Sequence, residues 1–151
     1  MIIEQRVTIA APTERVWDFM MDVPAVSQCL PGVESVSQVD QDTYAGALQV
    51  RVGPIAVRLE GRVVVAEQDA ESRRARMELK AADKRVNGAV NAKMLMQLHA
   101  REDGQTDLAI HTDAVVMGKL GEFGQAVIRK KADQMVTEFA RNLSAQVALP
   151  R

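Results

Sequence analysis

Residues 46–65 read GALQVRVGPIAVRLEGRVVV, two alternating runs hinged on Gly53-Pro54. Successive side chains of a strand point to opposite faces, so every second residue reads out one face. One face holds Leu48, Val50 and Val52, then Ile55, Val57, Leu59, Gly61, Val63 and Val65. The other carries Gln49, Arg51, Arg58, Glu60 and Arg62. An even loop at Gly53-Pro54 keeps both apolar sets on one side and pairs Val52 with Ile55, Val50 with Val57 and Leu48 with Leu59. The same register sets Gly46 opposite Gly61, which predicts a sharp bend or a close approach of two backbones.

The alternation continues downstream. Ala75, Met77, Leu79 and Ala81 share a face, as do Val90, Ala92, Met94, Met96 and Leu98, and then Leu108, Ile110, Thr112 and Ala114. Acid–base or nucleophilic chemistry needs side chains that this surface does not supply. Gln5 and Arg73 are the strongly polar residues placed on inner faces, both near strand ends. The pattern therefore predicts shelter for an apolar molecule and not its conversion.

The chain has 151 residues, which predicts a single domain spanning 1–151 and large enough to bury a core. A net charge of -1 gives no long-range pull toward nucleic acid. Cys29 is the one cysteine, so neither an internal disulfide nor a multi-cysteine metal site is expected. Glu4 stands where a signal peptide needs a basic start, and no apolar run approaches the ~20 residues that span a bilayer. A soluble, cytoplasmic protein is the expectation. Aromatic residues make up 3% of the chain, while methionine occurs eight times. Methionine fills irregular space and adapts to varied guests, and equally serves as plain core filler.

Residues 2 to 10 alternate as a first strand. Pro12 opens a helix with Val16, Trp17, Phe19 and Met20 as its stripe, and a second short helix is expected over Ala25 to Cys29. Turns are expected at Asp69 to Ser72, at Asp83-Lys84-Arg85, and at Glu102-Asp103-Gly104, the last as a three-residue loop. From about Leu120 the period becomes 3.6: Leu120, Phe123, Val127, Ala132, Met135, Phe139, Leu143 and Val147 mark a long amphipathic helix. The expected class is α+β, a curved antiparallel sheet of about seven strands around a long C-terminal helix, with two short helices after strand 1. One helix cannot cover the whole concave face, so a cavity is expected.

That order is similar to the helix-grip fold of the START and birch-pollen-allergen (SRPBCC) superfamily, whose members enclose apolar ligands. Two segments are more specific. Ala11-Pro12-Thr13-Glu14-Arg15-Val16-Trp17-Asp18-Phe19 runs into Asp22-Val23-Pro24 and Cys29-Leu30-Pro31-Gly32-Val33; Gly118-Lys119-Leu120-Gly121-Glu122-Phe123-Gly124-Gln125 precedes the last helix. Both resemble the carbon monoxide dehydrogenase G-subunit (CoxG) family over essentially the whole chain. The resemblance implies a non-catalytic accessory protein that accompanies a molybdenum hydroxylase of the carbon monoxide dehydrogenase type, with a cavity for a quinone or lipid-like molecule and peripheral contact with the inner membrane face. Relatives often carry a further linker and apolar anchor, whereas this chain stops at Leu149-Pro150-Arg151, which puts membrane attachment in question.

The ligand-binding candidates are Trp17, Met20, Leu30, Leu59, Met77, Met94, Met96, Thr112, Phe123 and Val127. No catalytic residue, metal ligand or cofactor is expected. Gly118, Gly121 and Gly124 lack the leading G-x-G and crossover unit of a dinucleotide site, and fit a close approach of the helix start to the sheet. His99 and His111 fall on the outer face, two to four residues out of register, too far apart for a shared metal. Cys29 reads as a small buried residue. Arg129-Lys130-Lys131 reads as a solvated helix face, with anionic headgroups or a partner enzyme as the alternative. Competing functions are an assembly or recruitment factor acting through its outer surface, and a cyclase- or hydrolase-like enzyme.

Overall fold

The computed structural model describes residues 1–148. Strand β1 (Ile2–Ile9) is followed by helices α1 (Thr13–Met21) and α2 (Val23–Ser27). Strands β2 (Val33–Gln38), β3 (Thr43–Val52), β4 (Ile55–Asp69), β5 (Arg74–Asp83), β6 (Gly88–Ala100) and β7 (Thr106–Gly118) come next. A 3-10 turn, Lys119–Phe123, leads into the long helix α3 (Gln125–Val147). The seven strands form an open, curved antiparallel sheet ordered β1-β7-β6-β5-β4-β3-β2. The chain end at Leu149-Pro150-Arg151 lies outside the described residues.

The β3–β4 hairpin takes the register that parity demands, with Val52, Val50, Leu48 and Gly46 opposite Ile55, Val57, Leu59 and Gly61. The glycine pair marks a close approach. A Cβ on Gly61 would lie 1.9 Å from the Lys80 carbonyl oxygen, and one on Gly46 2.6 Å from that of Ser35. A register shift between Val65 and Glu67 adds a bulge further along β4. Bulge and glycines together bend the sheet toward its apolar side.

Three boundaries differ from the sequence expectation. Helix α2 begins at Val23 and not Ala25, because the Asp22 carboxylate accepts the Ala25 N–H at 3.2 Å and Pro24 fits the first turn. Helix α3 begins at Gln125 and not near Leu120, because Gly124 takes φ +84, which an α-helix cannot run through. The β6–β7 loop has five residues and not three, since the last pair is Ala100 with Thr106. Both loop lengths are odd, so Leu98 and Ile110 still share a face.

Asp83 continues the alternation of Leu79 and Ala81 at the point where β5 parts from β4. It is buried at 4% exposure. Its carboxylate takes over from the ladder, accepting the backbone N–H groups of Arg58 at 2.8 Å and Arg85 at 2.9 Å, and the Arg85 guanidinium at 3.2 Å. These bonds, led by the Arg58 amide, hold its pKa at about 2 against an ordinary 3.8. A carboxyl depressed on folding stabilises in full above its unfolded pKa, and that contribution is lost as pH falls toward the folded value. Asp83→Ala is therefore expected to lower the Tm at neutral pH and to flatten its decline between about pH 4 and pH 2, measured by thermal unfolding across pH. Gly61→Ala is expected to cost about 1–3 kcal/mol in urea unfolding, because its methyl group would meet backbone and not a movable side chain.

Candidate functional site

The inner face packs in two separate clusters, one against α1 and α3 and one against the 3-10 turn. The first joins Ile9 and Leu108 of the β1–β7 end, Ala75, Met96 and Leu98 of β5 and β6, Val16, Trp17 and Met20 of α1, and Phe139, Ala140, Leu143 and Val147 of α3. The second joins Val52, Val57 and Leu120, with Val50, Ile55, Val90, Val116 and Phe123 packed around them. A domain ordinarily forms one contiguous core. Here the inner face is divided.

Between the clusters runs a belt of apolar surface that is only partly closed: Leu48, Val63, Met77, Leu79 and Met94 are half-buried, while Ile3, Val65, Ala92, Thr112 and Ala114 are buried. One row crosses the sheet as Val65, Met77, Met94, Thr112 and Ile3, and the next as Val63, Leu79, Ala92 and Ala114. Leu48, Val63, Leu79 and Met94 are half-buried and belong to neither cluster. The first half of α3 faces the same problem: Ile128, Ala132, Met135 and Val136 are half-buried and likewise join neither cluster. Such side chains border space a water can reach, so their apolar surface is incompletely withdrawn from solvent.

The sequence candidates divide accordingly. Trp17, Met20 and Met96 lie inside the first cluster, with Met77 at its margin, and Leu59 and Phe123 lie at the margin of the second. Met94 and Thr112 stand side by side in the belt row. Leu30 and Val127 remain exposed, at 37% and 40%. The structure thus gathers some candidates along the belt and consigns others to packed interior. Tyr44 escapes the sequence reading; it is half-buried on the inner-face register opposite Val63, and extending the alternation back from Gly46 would have found it.

Helix α3 is fastened by polar bonds through its later portion. Gln5 Nε2 donates to Asp133 Oδ1 at 2.9 Å, the Ala10 N–H to Ser144 Oγ at 3.1 Å, Asn142 Nδ2 to the Cys29 carbonyl at 3.0 Å, and Arg15 to the Val147 carbonyl at 3.1 Å. Among the described residues these ties begin at Asp133 and leave residues 125–132 to apolar contact alone.

The titratable groups are placed away from the belt or already engaged. His99 and His111 lie on the outer face, opposite Asp107 and Leu95, and the His111 ring pairs with Glu4 at 3.1 Å. Cys29 is buried, and that burial pushes its thiol pKa up, away from the nucleophilic thiolate. Among the described residues no three His, Cys, Asp or Glu side chains gather as a metal site. Backbone crowds two of the motif glycines: a Cβ on Gly118 would lie 2.0 Å from the Asn87 oxygen, and one on Gly121 3.0 Å from that of Val116. Two surface hollows, of about 670 and 540 Å3, lie on the solvent side of α3 around Arg129, Asp133 and Arg141 and at the β6–β7 turn around Arg101 and Asp103. Neither occupies the space between sheet and helix where the sequence places a cavity; there the structure shows the belt.

Known proteins share this architecture. A conserved protein from Geobacillus kaustophilus superposes with a TM-score of 0.89 at 21% identity, covering 98% of this chain and 95% of its own. The Zhui aromatase/cyclase from Streptomyces sp. R1128 gives 0.67 at 18% identity, covering 97% and 93%. A START superfamily protein from Mycobacterium smegmatis gives 0.65 at 13% identity, covering 97% and 96%. These likenesses establish the fold alone. No curated protein sequence matches the chain. The family model for the carbon monoxide dehydrogenase G-subunit (CoxG) matches residues 6–148.

If the belt is a site and not core, its side chains carry little of the folding energy. Leu143→Ala, in the closed cluster, is expected to cost about 2–5 kcal/mol, and Leu79→Ala, in the belt, about 1 kcal/mol or less, by urea unfolding. Equal losses at the two positions would mean that the belt is packed interior.

Proposed function

Since the chain belongs to the carbon monoxide dehydrogenase G-subunit (CoxG) family, we propose that it is a non-catalytic carrier, sheltering a quinone or similar lipid-like molecule between the sheet and α3. The observation that carries this reading is the run of half-buried side chains, Leu48, Val63, Met77, Leu79 and Met94, in the belt between the two packed clusters. Its driving term is burial of the guest: about 200 Å2 of apolar surface at about 25 cal/mol per Å2 is worth about 5 kcal/mol, before the cost of immobilisation. Affinity then follows the apolar area of the guest, and methionines at two adjacent row positions let the wall adapt to its shape.

The family supports a place beside a molybdenum hydroxylase of the carbon monoxide dehydrogenase type, the carrier acting as its accessory. No helix among the described residues is long and apolar enough to cross a membrane. We place any contact with a bilayer at its inner face, as a peripheral one made by a cytoplasmic protein. An enzyme of the aromatase/cyclase kind would need an acid or base on the belt. The Gln5 amide is neither acid nor base, and the Asp83 carboxylate is engaged by three donors from Arg58 and Arg85, so neither serves that purpose well.

Recruitment through the outer surface is the second reading. Ile2, Val115 and Met117 stand exposed on the convex side, at 44%, 55% and 38%, where the end of β7 outruns β1. The two roles are compatible in one protein.

The test uses purified protein stripped of lipid by solvent extraction, titrated with a short-chain quinone and monitored by native mass spectrometry and Tm. Quinone binding that raises Tm is expected in the wild type. Met94→Trp should abolish binding while leaving the fold intact, because the ring takes up free space. Unfolding of that variant would assign Met94 to the core, where excess volume costs about 1–3 kcal/mol or more.

A further inference from the structure

Two threonines are buried on the inner face of β7, and they differ in one respect. Thr106 is fully buried, donates to the Ala11 carbonyl at 2.7 Å and meets the Thr13 hydroxyl at 3.1 Å. Thr112 is 8% exposed and sits between Met94 and Ile3 in an apolar row. Among the described residues its hydroxyl has no hydrogen-bond partner, although none of their completely sealed side-chain polar atoms lacks one. The Thr112 hydroxyl is therefore not sealed and reaches space that a water can enter.

Water can serve an unsealed hydroxyl, but a guest that displaces the water leaves its single donor stranded unless the guest brings an acceptor. The surroundings supply no acceptor side chain in its own row, since Met77, Met94 and Ile3 are apolar. Gln5, two residues along β1 from Ile3, has its amide nitrogen engaged by Asp133. The described residues show no hydrogen bond between the Gln5 amide oxygen and the Thr112 hydroxyl. A guest that displaces water from the hydroxyl therefore has to supply the acceptor.

We propose that the Thr112 hydroxyl is the polar anchor of the belt, donating its hydrogen to a carbonyl or ether oxygen at one end of an otherwise apolar guest. This rests on the carrier reading and narrows it. A guest of pure hydrocarbon leaves the donor stranded, whereas an oxygenated one satisfies it. The oxygen fixes the orientation: the polar end is seated by β7, and the apolar remainder lies across Met94 toward Met77 and Leu79.

Two small probes of one skeleton separate the terms, 1-tetralone with a carbonyl and tetralin without. Titration calorimetry is expected to show wild-type protein binding tetralone at least as tightly as tetralin, although tetralin is the more apolar. In Thr112→Val the tetralone-to-tetralin affinity ratio should fall about tenfold, the weight of one hydrogen bond. Thr112→Ser, which keeps the donor, should restore it to within about twofold. A wild type that prefers tetralin, or a ratio unmoved by Thr112→Val, overturns the anchor and leaves the carrier reading standing. Failure of wild type to bind either probe overturns both. Should Thr112→Val not fold, the wild-type preference decides alone.

Discussion

An antiparallel sheet whose inner face is mostly aliphatic has to be covered, and coverage is what this molecule lacks. Seven strands spaced about 4.8 Å apart make a sheet about 30 Å broad, while a helix with its side chains is about 10–12 Å across. A single helix of 23 residues reaches from one end of the sheet to the other and shields only a few strands at a time. Helix α1 closes one end and the 3-10 turn closes the other. The middle has no third element. Two clusters with a belt between them are the geometric result, and the proposed site is what remains of the sheet once the helices have been placed.

The same constraint explains the residue choices in the bend. Gly46 and Gly61 let adjoining backbones crowd on the inner side, and the β4 bulge adds to the curvature. Curvature shortens the distance α3 must span, but it brings opposite walls no closer than their side chains permit. Alanines at 81, 92 and 114 keep those walls thin. Large side chains at these positions would join the clusters and fill the belt. The composition, with eight methionines and few rings, suits a wall that yields.

Parity makes the strand register legible in the sequence. The pairing of Val52 with Ile55 and of Gly46 with Gly61 follows from loop length and apolar alternation, and both are local quantities. Depth is not legible. Met96 shares a strand face with Met94, yet ends in closed packing because Trp17 of α1 and the later part of α3 converge over it. Which part of one face is covered depends on contacts far apart in sequence. The start of α3 is hidden for the opposite reason: the apolar period runs straight through Gly124, and only its positive φ reveals the break. Asp83 carries a readable sign, since it keeps the parity of Leu79 and Ala81, but a carboxylate beside Lys84 and Arg85 reads naturally as a turn residue.

The attachment of α3 is lopsided: its later portion is bonded to β1, α1 and the segment after α2, while residues 125–132 are held by apolar contact alone. Local opening free energies follow the bonds and packing that must be broken, so amide exchange along this one helix should be graded, fastest behind Gly124 and slowest around Leu143. For the proposed carrier, the loosely held end of the helix is then the part that would yield to admit a guest, with no separate door needed.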